Sequence, residues 1–298
     1  MVHGTLTFTS RISRRRSLLA LLTAPLAGCS GSDLLDAVVS RGSYRGRESV
    51  PYGSEQRQKL DIFRPLTGSP PTPLVVFFYG GSWTRGDRAD YRFVGEALAA
   101  HGVATLIVDY RLSPQVRYPQ FLSDCAQAVK WAFDHTGELD ADAGRVFLMG
   151  HSAGAYNAAM LALDPRWLAQ VGLAPQRLAG WVGLAGPYDF LPIVNPDAQI
   201  AFNWPATAAD TQPIAHVSAQ APRSLLLAAA QDESVNPQRS TVGLARRLAA
   251  AGAPVRYKLY DSLGHVSLVA AIARPLNWLA PVLPEVLAFV DPAAKSPG

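Results

Sequence analysis

A serine between two glycines is the first group in this chain whose setting could support chemistry. Residues 150–154 read GHSAG, with Ser152 at the centre. The apolar run RVFLMG ends at this motif, and the helix-like segment AGAYNAAMLAL follows it at 153–163. At a sharp strand-to-helix turn a serine hydroxyl is exposed as a nucleophile for acyl transfer, and its flanking residues must be very small. The pattern favours a nucleophile over the alternative, a small residue in a structural turn.

A glycine-rich loop could supply hydrogen-bond donors to the same reaction. Gly80, Gly81, Ser82 and Trp83 directly follow the apolar run LVVFFY. Glycines let backbone N–H groups approach a ligand closely, and paired N–H donors stabilise the oxyanion that forms when a nucleophile attacks a carbonyl. The N–H groups of Gly81 and Ser82, with that of Ala153 after the serine, are therefore candidates for an oxyanion hole. A plain Gly-Gly turn is the alternative.

Buried strands alternating with helices must position these groups. Apolar runs rich in β-branched residues predict strands, and apolar residues at helical spacing predict helices. The predicted strands lie at 57–63, 74–79, 102–110, 145–150, 178–186, 224–230 and 255–260, and the predicted helices at 90–100, 120–135, 153–163, 237–251 and 276–290. This alternation indicates an α/β fold with a mostly parallel central sheet and helices on both faces.

One long segment, residues 187–222, interrupts the alternation after the strand at 178–186. It is rich in proline, asparagine and alanine, and an insertion of this length between two strands is usually either functional or mobile. In an open α/β sheet, active residues lie at the carboxyl ends of the strands. We therefore expect the serine, the glycine loop and the residues that follow later strands to meet at one edge of the sheet.

These features resemble the α/β-hydrolase superfamily over residues 48–290. Within it, the chain is similar to esterases with an H-G-G-G/x-[WF] loop, which include hormone-sensitive-lipase-like and feruloyl-esterase-like carboxylesterases and kynurenine formamidases. The DYRL segment at 109–112 and the following Tyr118-Pro119 also match the family pattern. One position departs from it, because Tyr79 stands where the family has a histidine that mainly supports the loop. The resemblance implies an α/β-hydrolase fold and serine hydrolase activity.

The resemblance also implies an acid and a base, which follow the serine in the order Asp, then His. Asp232 comes after a predicted strand and matches the family's D-x-x-V acid, and His265 follows the last predicted strand in a Gly-His pair. Asp189 is the alternative acid, and His216 is the alternative base. His151, inside the serine motif, is expected to pack away from the substrate.

The implied reaction is hydrolysis of a carboxylic ester through an acyl-enzyme. His265 would take the proton of Ser152, and Asp232 would orient and stabilise the imidazole. Trp83 and Tyr188 are expected to contact the substrate, with core packing as the alternative for each. Two other functions stay open at this point: an arylformamidase or other amidase that uses the same triad, and a non-catalytic binding protein of the hydrolase fold.

The charge distribution and the motifs of the sequence argue against nucleic-acid, metal and nucleotide binding. The expected partner is therefore a small-molecule ester or amide substrate. The net charge is +4, but four of the 27 basic side chains fall at 11–16, and without them acidic and basic residues are equal in number. No basic cluster follows, so nucleic-acid binding is not expected. No spacing of His, Cys and carboxylate residues suggests a metal, and no glycine-rich phosphate motif suggests a nucleotide, so no cofactor is expected.

The first 28 residues resemble the signal peptide of a bacterial lipoprotein. RISRRR at 11–16 is positively charged, and the apolar run at 17–27 is too short to span a bilayer stably. LAGC, ending at Cys29, resembles a lipobox, which implies a lipid on that cysteine and attachment to a membrane of the bacterial cell envelope. The arginines also loosely match a twin-arginine export signal. An ordinary secretory signal and a cytosolic protein are the alternatives.

The expected domain organisation follows from these boundaries. Small and polar residues at 29–47 predict an anchor and linker, 48–292 the hydrolase domain, and 293–298 a tail. A lipidated Cys29 would leave Cys125 as a single thiol, and its apolar helical surroundings predict that it is buried.

Overall fold

A single eight-stranded sheet forms the centre of the protein. The computed structural model describes residue 39 and residues 42–291 of the 298-residue chain. The strands lie in the order β1-β2-β4-β3-β5-β6-β7-β8. Their bounds are β1 (Tyr44–Pro51), β2 (Lys59–Pro65), β3 (Thr72–Phe78), β4 (Ala104–Val108), β5 (Ala141–His151), β6 (Gly180–Leu184), β7 (Ser224–Ala229) and β8 (Val255–Tyr260).

Helices connect the strands and cover the sheet. They are α1 (Arg92–Ala99), α2 (Gln120–Asp134), α3 (Ala153–Leu163), α4 (Pro165–Ala169), α5 (Pro196–Ala201), α6 (Gly243–Ala250), α7 (His265–Ala270) and α8 (Val282–Val290). The helix α3 packs against β5 and β6, while α1 packs against β2, β4 and α8.

The sheet is mostly parallel, as the apolar strands predict. Only β1 and β2 run antiparallel to their neighbours, and all other paired strands are parallel. Every residue of β3, β4, β6 and β7 is buried. Helices on both faces of the sheet explain this burial, because a strand with one solvated face would alternate buried and exposed residues.

The register aligns the carboxyl ends of the central strands. Phe78 at the end of β3 pairs with Gly150 of β5, and Leu184 at the end of β6 pairs with His151. The segments that follow these strands therefore leave the sheet at a common edge, where α/β proteins bind their ligands.

The structure corrects the predicted start of the domain. Residues 44–47, which the sequence assigns to the linker, belong to β1. This strand reads YRGRESVP and is mostly exposed, because it is the antiparallel edge of the sheet. An exposed edge strand needs no apolar run, so the hydrophobic pattern did not reveal it.

Two helices at the C-terminal end also differ from the prediction. The helix predicted at 276–290 begins only at Val282, directly after Pro281, which has no N–H to continue an earlier helical turn. The short helix α7, which starts at His265, was not predicted. The segment at 187–222 contains α5 and two 3₁₀ turns, Ala209–Thr211 and Pro213–His216.

The structure describes one of the two cysteines. Cys125 is buried and free, as predicted from its surroundings. The predicted signal peptide and Cys29 lie outside the described residues. Within residues 42–291, no helix combines the length and apolar character that crossing a membrane requires.

Candidate active site

Ser152 occupies a strained turn between β5 and α3. Its φ of 54° and ψ of −121° are unusual for a residue with a side chain. A Cβ on Gly150 would lie 2.2 Å from the carbonyl oxygen of Gly154, and a Cβ on Gly154 would lie 2.0 Å from that of Phe78. The two glycines therefore allow α3 to start directly against the strands, and the turn has the sharp geometry that the GHSAG motif predicts.

The structure brings Ser152, His265 and Asp232 into one hydrogen-bonded series. The Nε2 atom of His265 lies 2.9 Å from Oγ of Ser152, and its Nδ1 atom lies 2.7 Å from Oδ2 of Asp232. The other carboxylate oxygen of Asp232 accepts N–H bonds from Ser234 and Val235, over 2.8 and 2.9 Å. This is the spatial arrangement of a nucleophile, a base and an orienting acid.

The environment of Asp232 favours its charged form. Burial acts to raise the pKa of this carboxyl, but the hydrogen bond and charge of His265 and the two backbone N–H bonds outweigh burial and lower the pKa below 3.8. Asp232 therefore stays ionised at neutral pH and holds the proton of His265 on Nδ1. The Nε2 atom is left to accept the Ser152 hydroxyl proton.

The two alternative residues lie elsewhere. Asp189 accepts a hydrogen bond from Arg239 over 2.7 Å instead of contacting an imidazole. His216 contacts the carbonyl oxygen of Asp210 through Nε2, over 2.6 Å. Neither is part of the series that contains Ser152.

The glycine loop after β3 lies against the nucleophile. A Cβ on Gly80 would be only 2.9 Å from Cβ of Ser152. Three successive residues then have positive φ: Gly81 at 129°, Ser82 at 51° and Trp83 at 59°. In the described part of the chain, no hydrogen bond engages the N–H of Gly81 or of Ser82.

A third free donor lies across from this loop. Ala153 is the first residue of α3, so its N–H has no acceptor within the helix. In the described part of the chain, the N–H groups of Gly81, Ser82 and Ala153, which the sequence indicates as candidate oxyanion donors, thus have no acceptor within the protein.

A partly buried network of hydrogen bonds and charges supports the glycine loop. The Arg57 guanidinium donates to Oη of Tyr79 over 2.5 Å and to the carbonyl oxygen of Gly86 over 2.8 Å, and lies 3.4 Å from the Asp109 carboxylate. The hydroxyl of Tyr110 donates to the carbonyl oxygen of Tyr79 over 2.9 Å. Tyr79 therefore supports the loop in place of the family's histidine. The DYRL segment contributes Asp109 and Tyr110 to this network, whereas no sequence pattern pointed to Arg57.

The two aromatic residues predicted to contact the substrate have different positions. Trp83 lines the cavity next to Ser152, and its Nε1 donates to Asn157 over 3.1 Å. Tyr188 does not line this cavity, so its predicted role is wrong. Its ring fills the space that Gly183 and Gly186 leave open, where an added Cβ would come within 1.9 and 2.5 Å of its hydroxyl.

A cavity of about 1020 Å³ opens above Ser152. Its walls are mainly apolar and come from the glycine loop, the start of the insertion, the β7 loop and α7. The residues that contribute side chains to these walls include Trp83, Tyr91, Phe93, Phe190, Ile193, Val235, Val269 and Leu276.

His151 also lines this cavity and contacts both Tyr91 and the backbone of His265, contrary to the expectation that it packs away. The sequence could not show this, because its partner Tyr91 lies 60 residues earlier.

The sheet topology, the strained serine turn and the glycine loop together define an α/β-hydrolase fold. The chain belongs to the BD-FAE family, whose model matches residues 60–248. This match includes the glycine loop, Ser152 and Asp232, and ends before His265.

Curated relatives include an esterase and a formamidase. The chain is 25% identical to a probable isoprenylcysteine alpha-carbonyl methylesterase of Arabidopsis thaliana, over 81% of this chain and 56% of the relative. It is 31% identical to a kynurenine formamidase of Salmo salar, over 52% of this chain and 51% of the relative. The chain thus spans about half the length of these relatives.

Solved structures support the fold. Esterase B from Lactobacillus rhamnosis superposes with a TM-score of 0.74 at 18% identity, over 93% of this chain and 94% of that one. At this identity the likeness concerns the fold alone.

Proposed function

We propose that this protein is a serine carboxylesterase in which Ser152 is the nucleophile, His265 the base and Asp232 the orienting acid. The observation that carries the proposal is the continuous hydrogen-bonded series from Asp232 through His265 to Ser152, with contacts of 2.7 and 2.9 Å. Membership of the BD-FAE family and similarity to a methylesterase agree with this chemistry.

The reaction begins when Nε2 of His265 takes the hydroxyl proton of Ser152, whose Oγ attacks the ester carbonyl carbon. Asp232 stabilises the imidazolium that forms. His265 then gives the proton to the departing alcohol, which leaves an acyl group on Ser152. A water molecule, activated by His265, attacks the acyl carbonyl and releases the carboxylic acid.

The negative charge on the carbonyl oxygen is stabilised by the N–H groups of Gly81, Ser82 and Ala153. Donors that are already in place need no reorganisation as the charge develops, and each is worth about 10²–10³-fold in rate in comparable sites. The loop backbone departs from the extended conformation at Gly81 and Ser82, which both have positive φ, and in the described part of the chain neither N–H has an acceptor within the protein.

The test is hydrolysis of p-nitrophenyl acetate and butyrate by the chain from residue 30 onward. The wild-type protein should turn over both esters, and Ser152→Ala should lose the activity while keeping the melting temperature. A fluorophosphonate probe should label the wild-type protein at Ser152 only. Full activity in Ser152→Ala would overturn the assignment of the nucleophile.

An N-formyl amide is the second candidate substrate, favoured by the 31% identity to a kynurenine formamidase. The same nucleophile and oxyanion donors act on a formamide carbonyl. Comparing kcat/KM for N-formylkynurenine and p-nitrophenyl acetate separates the two candidates. A value for the amide above that for the ester would replace carboxylesterase by formamidase.

We also propose that the protein is exported and attached to the bacterial cell envelope through a lipid on Cys29, on the strength of the lipobox-like LAGC sequence. Cys29→Ser in the full chain should abolish lipid labelling and membrane sedimentation. Cys125→Ser is the matched control and should leave both unchanged, because that thiol is buried in the domain. Membrane sedimentation that survives Cys29→Ser would exclude this anchor.

A further inference from the structure

Tyr91 and His151 form a bridge of hydrogen bonds between the glycine loop and the segment of His265. The N–H of Gly80 lies 3.4 Å from Oη of Tyr91, which lies 3.2 Å from Nδ1 of His151. On the other side of the ring, Nε2 of His151 lies 3.1 Å from the carbonyl oxygen of His265. Both side chains line the cavity, and neither belongs to the Ser152–His265–Asp232 series.

The acceptor at one end fixes the direction of every hydrogen bond in this bridge. A carbonyl oxygen only accepts, so Nε2 of His151 must carry the proton that points to His265. The Nδ1 atom then has a free lone pair and accepts from the Tyr91 hydroxyl. The oxygen of Tyr91 in turn accepts from the N–H of Gly80.

The surroundings keep both side chains in the protonation states that the bridge requires. Burial, followed by the charge of His265, lowers the pKa of His151 to about 3, so its imidazole is neutral. Burial raises the pKa of Tyr91 to about 12, so its hydroxyl keeps the proton. His151 is only 4% exposed, so its imidazole depends on these two partners within the protein for its hydrogen bonds.

We propose that Tyr91 and His151 are positioning residues for the hydrolase reaction, which hold the oxyanion loop at a fixed place relative to His265. This inference rests on the proposed function. Gly80 lies directly against Ser152 and precedes the donor Gly81, so a shift of Gly80 moves an oxyanion donor. The carbonyl held by His151 belongs to His265 itself, so the bridge connects the two sides of the reaction centre.

The neutral state of His151 has a second effect on catalysis. Its ring centroid lies 4.9 Å from that of His265, which must become an imidazolium during the reaction. A cation at position 151 would oppose that charge. A neutral ring that donates to the His265 carbonyl provides the hydrogen bond without this repulsion.

Steady-state kinetics test the proposal with four variants. Tyr91→Phe and His151→Leu should each lower kcat by about tenfold with little change in KM, because the oxyanion exists only after binding and one hydrogen bond is worth about that much. His151→Gln should retain more activity than His151→Leu, because its amide can still donate to the His265 carbonyl. Tyr260→Phe is the matched control, since its hydroxyl donates to the carbonyl oxygen of Pro281 and does not line the cavity.

Two outcomes of these kinetics would overturn the inference. One is wild-type kcat in both Tyr91→Phe and His151→Leu. The other is an equal loss in His151→Leu and His151→Gln that parallels a fall in melting temperature, which is the behaviour of a residue that only fills space. Failure of the proposed function is distinguishable, because it would appear as full activity in Ser152→Ala.

A measurement without turnover tests the bridge directly. Nitrogen NMR of histidine-labelled Ser152→Ala should show His151 as the neutral Nε2–H tautomer from pH 8 to pH 5. Tyr91→Phe in the same background should shift the His151 Nδ1 resonance, whereas Tyr260→Phe should not. A His151 that titrates near pH 6.5, or that carries its proton on Nδ1, would contradict the hydrogen-bond directions on which the proposal stands.

Discussion

The Nδ1 atom of His265 lies 2.7 Å from Oδ2 of Asp232, although the two residues are 33 positions apart. They meet because Asp232 follows β7 and His265 follows β8, and these neighbouring strands are parallel with Ala229 paired to Tyr260. The sheet register therefore brings the two loops together, and the backbone N–H groups of Ser234 and Val235 hold the Asp232 carboxylate in place for this contact.

Removing the charge of Asp232 should reduce the rate while leaving the fold intact. In Asp232→Asn the amide NH2 can donate to Nδ1 of His265, which favours the Nε2–H tautomer that cannot take the Ser152 proton, so we expect kcat for p-nitrophenyl butyrate to fall by about 10³–10⁴-fold. Asp189→Asn is the matched control, since Asp189 bonds Arg239 instead of an imidazole. Equal losses in the two variants would show that Asp232 is not the acid.

The close approach at the serine turn should make Gly154 intolerant of a methyl group. A Cβ there would lie 2.0 Å from the carbonyl oxygen of Phe78, so the strand or the helix must move. We expect Gly154→Ala to lower the free energy of unfolding by about 1–3 kcal/mol, measured by chemical denaturation. Gly137→Ala is the control and should leave the free energy of unfolding unchanged, because nothing lies within 4 Å of the added carbon. Similar stabilities of the two variants would contradict this account of the turn.

The stability of the protein should depend on pH through His151. Its pKa falls from 6.5 to about 3 on folding, with Tyr91, His265 and Asp232 as the titratable groups around it. Between these pH values the unfolded chain binds a proton that the folded protein does not, so stability decreases as the pH falls below 6.5. At pH 5 this amounts to about 2 kcal/mol.

His151→Gln removes this titration. The wild-type protein should therefore lose about 2 kcal/mol more than the variant between pH 7 and pH 5, measured by denaturant unfolding at both pH values. A parallel pH dependence in the two proteins would show that His151 titrates normally in the folded state.

Arg57 should matter for both stability and rate. Its guanidinium holds the Tyr79 hydroxyl and the Gly86 carbonyl, and it lies next to the buried carboxylate of Asp109. Arg57→Met should cost about 2–3 kcal/mol in unfolding free energy, because hydrogen bonds to a charged group are lost. It should also lower kcat, since the glycine loop loses support. Arg64→Met, which removes an arginine from a surface contact, should change neither value appreciably.

The sequence predicted those parts of the site that depend on local geometry. GHSAG between a strand and a helix, the Gly80–Gly81 pair after another strand and the order of Ser152, Asp232 and His265 all follow from short patterns and chain order. The structure places these groups together because β3, β5, β7 and β8 are parallel strands of one sheet, whose carboxyl ends lie at the same edge.

The remaining parts depend on contacts that no local pattern records. Tyr188 was expected at the substrate because it starts an aromatic insertion, but Gly183 and Gly186 create an internal space that its ring fills. His151 was expected to pack away, and its actual role depends on Tyr91 from a distant segment. The edge strand β1 was missed because an exposed strand carries no hydrophobic run.

The anchoring of Tyr188 has a consequence for how the segment that follows it can vary. The N–H of Ile214 bonds the carbonyl oxygen of Tyr188 over 3.1 Å, and the N–H of Phe190 bonds the side chain of Gln212 over 2.8 Å. These two hydrogen bonds therefore hold the two ends of the segment at 190–212 close together. The Tyr188 ring, packed against Gly183 of β6, fixes these ends next to the sheet. Within this segment, the Phe202 ring packs edge-on against Trp83 with ring centroids 4.8 Å apart, and the Tyr156 hydroxyl donates to the carbonyl oxygen of Thr211 over 2.7 Å. A change in the length or lining of the segment must therefore fit both the hydrogen bonds at its two ends and the aromatic packing beside the glycine loop.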